Sequence, residues 1–229
     1  MGDEIEPNFK PSDLGTKQYW DNAYTREVKN FDDFGDIGEI WFGESSVEKM
    51  IDWVLDNVTN KSTRTVDLGC GNGHLLLEMS ALGYTNLVGV DYSEAAVDLA
   101  IKVADEQRRT GITYLPLDLL DEAALAAGGH CDAYDLALDK GTFDAISLAT
   151  PAEGGNGADA HPADLYPSRV ASMLKDNGIL VITSCNWVEA ELIEKFKAYF
   201  VFQARIKHPT FTFGGSEGQT ITTVVFRKK

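Results

Sequence analysis

The chain has 229 residues, of which 44% are hydrophobic and 10% aromatic, so it is long and apolar enough to bury a substantial core. Its 36 acidic and 20 basic side chains give a formal net charge of −16, which disfavours nucleic acid as a partner and favours a basic protein, although acidity also promotes solubility. Because no apolar run reaches ~18 residues and the N-terminus lacks a signal-peptide pattern, we expect no membrane association and a cytoplasmic location, with the nucleus also open.

The N-terminal part of the chain is predicted to contain a tail and a first helix. Residues 1–15 are polar and contain two prolines, which predicts a disordered tail. Residues 16–31 follow with the sequence TKQYWDNAYTREVKNF, in which aromatic and apolar side chains recur at helical spacing.

A second helix is predicted over roughly residues 45–58. Ser45 precedes Glu48 by three positions, which is the spacing of a capping box. Just before this helix, Trp41 and Phe42 stand among glycines. Their position ahead of the first strand makes them the best candidates to cover a ligand site.

From residue 64 onward, short apolar strands alternate with amphipathic helices. Strands are predicted at RTVDLG (64–69), NLVGVDYS (86–93), ITYLPLDLL (112–120), YDLALDKG (134–141) and ILVITSC (179–185). Helices are predicted at 73–83, at 93–111 with Ser93 as its cap, at 166–178 and at 188–200. Two further strands flank the turn FGGSEGQ (213–219) and predict an antiparallel hairpin that closes the sheet.

This alternation predicts an α/β fold with a doubly wound, Rossmann-like sheet of seven strands and helices on both faces. No linker interrupts it, so we expect one domain over residues 16–229. Residues 150–164 are rich in glycine, alanine and proline and predict a long surface loop, which is either a lid or a plain insertion.

The sequence VDLGCGNG places Gly69, Gly71 and Gly73 directly after the first strand. Glycine loses more conformational entropy on folding than other residues, so this spacing requires a tight turn or a close approach. In a doubly wound sheet, ligands bind at such a strand-to-helix turn. The dinucleotide pattern G-x-G-x-x-G fails here, because its last position is His74 in one register and Leu76 in the other.

The pattern that does fit is D-x-G-x-G-x-G, beginning at Asp67. It resembles motif I of the class I, seven-stranded methyltransferases that use S-adenosylmethionine. This resemblance implies that the loop of Gly69, Gly71 and Gly73 passes beneath the methionine part of the cofactor. It also implies that Asp67 helps to hold the cofactor's amino group.

Acidic residues end the next three predicted strands. Asp91 ends the second strand, where a carboxylate can accept hydrogen bonds from both ribose hydroxyls. The resemblance implies that Asp118 accepts from the adenine amino group and that Asp139 lies beside the transferred methyl group, as a contact and as the candidate catalytic residue. Tyr92 and Leu119, which follow two of these acids, belong to the predicted cofactor site.

The position of Trp41 and Phe42 ahead of the sheet also predicts a role for this part of the chain. Residues 16–58 are expected to cover the cofactor, with Trp41 as a direct contact. Aromatic side chains suit such a site because they hold cations by cation–π contact.

The acceptor is predicted from the fourth strand and from the charge. Methyltransferases of this superfamily that act on DNA bases usually have D/N-P-P-Y/F at this strand end, whereas this chain has DKGT. Together with the net charge, this argues against a nucleic acid substrate. The cysteines lack CxxC spacing and the histidines are scattered, so we expect reduced thiols and no metal.

A closer resemblance spans residues 14–227. Its most specific pieces are GEIWFGE (38–44), DKGTFDAISL (139–148) and SCNW (184–187), and they resemble the lysine methyltransferases that modify translation elongation factor 1-alpha. The resemblance implies a protein-lysine N-methyltransferase with a basic protein substrate. Departures at 150–164 and at DEAALAAGGH (121–130) bear on substrate choice.

Two alternatives stay open from the sequence. One is a small-molecule or other protein N-methyltransferase on the same fold, and the other is a non-catalytic adaptor that keeps the fold. The intact acids and glycines argue against the adaptor. A monomer is expected because no exposed heptad or apolar edge indicates a partner.

Overall fold

The computed structural model describes residues 10–150, 161–208, 211–213, 216–218 and 221–229. The helices are α1 (Lys17–Phe34), α2 (Glu44–Asn57), α3 (His74–Ala81), α4 (Glu94–Glu106), α5 (Glu122–Ala127), α6 (Thr142–Ser147), α7 (Pro162–Met173) and α8 (Glu189–Phe196). The strands are β1 (Thr65–Leu68), β2 (Leu87–Asp91), β3 (Ile112–Pro116), β4 (Tyr134–Lys140), β5 (Leu174–Ser184), β6 (Phe200–Ile206), β7 (Phe211–Phe213), β8 (Ser216–Gly218) and β9 (Thr222–Lys228). No helix in this described part of the chain is long and apolar enough to span a membrane.

The main sheet has seven strands in the order β3-β2-β1-β4-β5-β9-β6. Strands β1 to β5 pair in parallel, whereas β9 pairs antiparallel with both β5 and β6. The predicted doubly wound sheet with an antiparallel C-terminal hairpin is therefore confirmed. Strands β7 and β8, between the two arms of the hairpin, form a separate pair.

Two buried apolar clusters lie on the two faces of the sheet. Successive residues of one strand point to opposite faces, and accordingly Ala137 of β4 belongs to one cluster while its neighbours Leu136 and Leu138 belong to the other. The first cluster includes buried side chains of α5 to α8, and the second includes those of α2 to α4.

The order of the strands places a switch point between β1 and β4. The chain runs outward from β1 through β2 to β3 and then returns to β4 on the other side of β1. Connections that leave in opposite directions open a crevice at the carboxyl ends of the two central strands, where ligands bind in such sheets. The glycine loop after β1 and the DKGT sequence (139–142), which begins within the end of β4, meet at this crevice.

Several predicted boundaries are wrong. Helix α2 has Gly43 as its N-cap and forms no side-chain cap bond, so the capping box of Ser45 and Glu48 does not form. Gly43 turns the chain at φ +72° and thereby starts the helix before Ser45 is reached. The predicted tail is also too long, because Asp13–Gly15 form a 3-10 turn that follows a hydrogen bond from Ser12 N to Leu148 O of 3.1 Å. Residues 1–9 lie outside the described part of the chain.

Helix α7 begins and ends earlier than the prediction of 166–178. It starts at Pro162, after His161 has capped it, so the end of the predicted loop 150–164 is helical; residues 151–160 are not described. It stops at Met173 because Leu174 is fully buried and pairs with Tyr134 in the sheet. The prediction missed α5 and α6, since six residues are too few to show a helical period.

Candidate active site

The loop between β1 and α3 forms the floor of the crevice. The backbone amides of Gly69 and Cys70 both donate to Val90 O, at 2.8 and 2.9 Å, which ties the loop to the end of β2. Gly69, Gly71 and Gly73 have φ values of +70°, +53° and +77°, which L side chains rarely adopt. The tight turn expected from the glycine spacing is therefore present.

The glycines also make room for side chains of the protein itself. A Cβ atom would lie 2.1 Å from Thr142 Oγ1 if added at Gly69, 2.4 Å from the Tyr24 hydroxyl if added at Gly71, and 2.5 Å from the Tyr114 hydroxyl if added at Gly73. Each of these neighbours comes from a different element. The loop must therefore be glycine-rich whether or not a ligand lies on it, a reason that the sequence alone did not reveal.

The crevice encloses a cavity of about 190 Å³. Seven of the predicted site residues line it, namely Trp41, Gly69, Gly71, Asp91, Tyr92, Asp118 and Leu119. Three others that the structure describes, Asp67, Gly73 and Asp139, do not line it. The sequence thus placed most of the predicted residues at one cavity, and their contacts with a cofactor stay predictions.

Asp91 fixes the geometry at the end of β2. Its Oδ2 accepts from Gly71 N at 3.1 Å and its Oδ1 accepts from Ser93 N at 2.9 Å, so one carboxylate joins the glycine loop to the start of α4. Ser93 is the N-cap residue as predicted, but its side chain makes no cap bond. The Asp91 side chain is only 6% exposed, and burial raises its pKa to about 6, although the two backbone donors counteract part of this effect.

Asp118 lies farther along the same cavity and is more exposed. Its Oδ1 accepts from Leu120 N at 2.9 Å, and Leu117 and Leu119 beside it are buried. Together with Tyr92, these side chains offer apolar and aromatic surface between two carboxylates. Such a lining suits a nucleoside, because the acids can accept from ribose and from an exocyclic amine while the base packs on apolar groups.

Asp139 lies at the end of β4 and is 0% exposed. Its carboxylate accepts from Thr142 N at 2.9 Å, from Phe143 N at 3.2 Å and from the Tyr166 hydroxyl at 2.6 Å. Burial raises its pKa to about 7, although these donors favour the ionised form. The structure therefore shows Asp139 as a buried acceptor for the first turn of α6 and not as a side chain that faces the cavity.

Asp67 is likewise buried, within β1, with 3% of its surface exposed. Burial raises its pKa to about 7, and the nearby positive charge of Lys140 opposes this rise. Lys140 ends β4 and lines the cavity. Lys140 and Asp67 are thus near enough to influence each other's pKa, although these two described residues form no ion pair with each other.

Residues of α1 and of the loop after it cover the cavity. Trp20 packs against Trp41 with ring centroids 4.8 Å apart and stacks on Tyr24 at 6.0 Å, and all three line the cavity. Helix α2 contributes no described lining residue and packs into the core instead. The segment that covers the cavity is therefore shorter than the predicted residues 16–58, since the last residue of that range to line the cavity is Trp41.

Asn72, which the sequence prediction missed, anchors this cover. Its Nδ2 donates to Ile37 O at 2.9 Å and to Glu39 O at 3.3 Å, and its Oδ1 accepts from His74 N at 3.2 Å. Asn72 therefore bridges the cover and the start of α3. Its position inside the glycine loop was the available signal, but only the fold shows what it binds.

The two most specific sequence pieces near the ends of β4 and β5 form one hydrogen-bonded unit. Ser184 Oγ and Asn186 N both donate to Asp144 Oδ1 at 2.8 Å, and Trp187 Nε1 donates to Ser147 Oγ at 3.0 Å. Asp144 is buried, which raises its pKa to about 6. The unit holds α6, which contributes cavity-lining residues, against the end of β5.

Binding of S-adenosylhomocysteine is expected to weaken below about pH 6. The predicted ribose contact requires an ionised Asp91, because only the carboxylate can accept from both hydroxyls. Since burial raises the pKa of Asp91 to about 6, protonation below that pH should lower the affinity by up to about tenfold per pH unit. Calorimetric titrations between about pH 5 and 7.5 would measure the slope. The Asp91→Asn variant should bind S-adenosylhomocysteine weakly, and its affinity should not show this fall with pH. The same pH slope in the variant as in the wild type would contradict the predicted ribose contact of Asp91.

The sequence of this chain matches a family model and individual proteins. Residues 59–224 match a family model for a methyltransferase domain. The chain is 39% identical over 221 residues to EEF1A lysine methyltransferase 2 of Danio rerio, covering 96% of this chain and 90% of that protein. It is 41% identical over 233 residues to protein-lysine N-methyltransferase efm4 of Schizosaccharomyces pombe, covering 94% of each.

Solved structures match the fold at low identity. The N-methyltransferase NodS of Bradyrhizobium japonicum, in complex with S-adenosyl-L-homocysteine, superposes with a TM-score of 0.63 at 14% identity, covering 91% of this chain and 98% of that one. Magnesium protoporphyrin IX methyltransferase of Synechocystis with bound S-adenosylmethionine gives 0.60 at 16% identity, covering 90% and 97%. These matches confirm the predicted fold.

Proposed function

This chain belongs to the methyltransferase family that includes EEF1A lysine methyltransferase 2 and protein-lysine N-methyltransferase EFM4, and from that premise we propose that it methylates a lysine of translation elongation factor 1-alpha. The observation that carries the proposal is the extent of the match. The methyltransferase-domain model begins at residue 59, whereas the EEF1A lysine methyltransferase 2 and EFM4 relatives match at least 94% of the chain. The similarity therefore includes the cover over the cavity as well as the sheet.

The cofactor is S-adenosylmethionine. When bound it would supply the sulfonium methyl group to an amine nitrogen, as the carbon–sulfur bond breaks and S-adenosylhomocysteine leaves with the electron pair. The chain's own part is to bind and to exclude water. We propose that Asp91 and Asp118 hold the nucleoside and that the glycine loop lies beneath the remainder of the cofactor. Trp20 and Trp41, which pack on each other, line the cavity with aromatic surface that would exclude water.

The substrate is proposed to be a basic protein surface that meets an acidic enzyme. A net charge of −16 gives a field that attracts such a partner and speeds its encounter. We propose further that the protein acts as a monomer in the cytoplasm, with the nucleus as an alternative location. A small-molecule or other protein acceptor is the competing proposal.

The test uses elongation factor 1-alpha produced in bacteria, so that the substrate carries no eukaryotic methylation. It is incubated with labelled S-adenosylmethionine and the full chain, and the labelled residue is located by mass spectrometry. Label on a single lysine is expected. The Asp91→Ala variant serves as the matched control and should transfer far less label.

Other outcomes would redirect the proposal. Label that appears only on another protein of a lysate, or only in small-molecule fractions, would replace the substrate and support the competing proposal. Failure to bind S-adenosylhomocysteine would contradict the enzyme assignment as a whole.

A further inference from the structure

Lys140 is the one basic side chain among the described residues that line the cavity. The charged groups that share this lining, Glu39, Asp91 and Asp118, are all acidic. A cation is unexpected beside the site of a cationic sulfonium, because the two charges repel each other. The roles proposed for the acidic residues do not explain why a lysine lines this cavity.

The Lys140 ammonium is poorly paired within the protein. Its Nζ donates to the backbone oxygen of Trp41 at 2.9 Å. Among the described residues, this is the one hydrogen bond that the ammonium makes. No carboxylate oxygen of the described residues lies within the 4.0 Å that defines an ion pair. An ammonium has three N–H donors, so two remain for a ligand.

The nearest negative groups do not neutralise it fully. The charges of Asp67 and Asp139 raise the pKa of Lys140, but burial lowers it by more. Burial also raises the pKa of both acids, which weakens the negative charge that they offer to the ammonium. A partly buried ammonium without a matching anion is unfavourable, and an anionic ligand group would relieve that cost.

The cofactor offers one such group. Adenine and ribose are neutral, the sulfonium and the amino group are positive, and only the carboxylate of the methionine part is negative. Asp91 and Asp118 would repel that carboxylate, whereas Lys140 would attract it. We propose that Lys140 binds the carboxylate of S-adenosylmethionine; the proposal rests on the cofactor assignment made above.

This role would also connect cofactor binding to the cover. The ammonium that receives the carboxylate is held by the carbonyl of Trp41, and the Trp41 ring lines the same cavity. Lys140 is therefore a binding residue that joins the end of β4, the cofactor and the covering loop.

The test compares two ligands by calorimetry. One is S-adenosylhomocysteine, and the other is 5′-deoxy-5′-(3-aminopropylthio)adenosine, which has the same atoms except for the carboxylate. Wild-type protein should prefer S-adenosylhomocysteine by about 10- to 100-fold, the range of one charge-assisted hydrogen bond. Lys140→Met should lose that preference and bind the second ligand within about threefold of wild type. Lys140→Arg should restore part of the preference, because it keeps the charge.

Three results would overturn the proposal. Unchanged binding of S-adenosylhomocysteine by Lys140→Met would show that the ammonium makes no contact with it. An equal loss for both ligands would show that Lys140 acts only through Trp41. Failure of wild-type protein to bind S-adenosylhomocysteine would instead remove the cofactor assignment, and with it this proposal. Lys175→Met, which changes an exposed lysine paired with Asp135, controls for the loss of charge alone.

Discussion

The Gly73→Ala variant is expected to lose about 2 to 5 kcal/mol of unfolding free energy. Gly73 has φ +77°, where an L side chain costs about 1 to 2 kcal/mol. The new Cβ would also lie 2.5 Å from the Tyr114 hydroxyl and 3.0 Å from Ala100 Cβ. Both neighbours are buried, so overpacking adds about 1 to 3 kcal/mol. Equilibrium unfolding in urea measures the loss.

Gly83→Ala provides a matched control. Gly83 has φ +89°, yet nothing lies within 4 Å of an added Cβ, so only the backbone cost of about 1 to 2 kcal/mol should appear. Equal losses in the two variants would contradict the packing argument. Since Gly73 precedes α3 in the glycine loop, its variant should also bind S-adenosylhomocysteine more weakly, whereas Gly83→Ala should bind it normally.

The Asp139→Ala variant is expected to lose about 3 to 5 kcal/mol of unfolding free energy together with its activity. Alanine would leave Thr142 N, Phe143 N and the Tyr166 hydroxyl without their acceptor. An unsatisfied buried donor costs about 1 to 3 kcal/mol, although neighbouring losses do not add fully. Urea unfolding and methyl transfer are measured on the same preparation.

Asp139→Asn separates the structural role from a catalytic one. The amide oxygen still accepts from the two backbone donors, so stability should fall by only about 1 kcal/mol. A residue that caps α6 would then leave most of the activity in place. A stable Asp139→Asn protein without activity would show instead that the negative charge takes part in the reaction.

Much of the architecture follows from local patterns in the sequence. Apolar runs of strand length alternate with helical periods, and this alternation already implies a parallel sheet whose strand ends meet at one edge. Asp91 ends β2, and Asp118 follows the end of β3 by two residues. Because these strands are consecutive, the sequence brings both acids to the same cavity without knowledge of any long-range contact. The motif beginning at Asp67 is local in the same way, since it occupies only the end of β1 and the turn that follows.

The covering loop shows where such reasoning stops. Trp41 was expected at the cavity, but the groups that hold it there, Lys140 and Asn72, act through backbone oxygens of the cover. Hydrogen bonds to backbone atoms leave no residue pattern that a sequence can display. The capping box at Ser45 failed for a related reason, because a turn at Gly43 had already started the helix.

The sequence by itself thus determined the sheet, the glycine turn and the acids at the strand ends, since each depends on residues close together in the chain. Only the tertiary structure decided which atoms face the cavity. In the structure, Asp139 is buried and accepts a hydrogen bond from Tyr166, which lies 27 positions away in the chain. The side chains of Tyr24, Tyr114 and Thr142 pack beside the glycines. These side-chain orientations depend on close packing between elements that are distant in the sequence, so they are determined only in the folded protein.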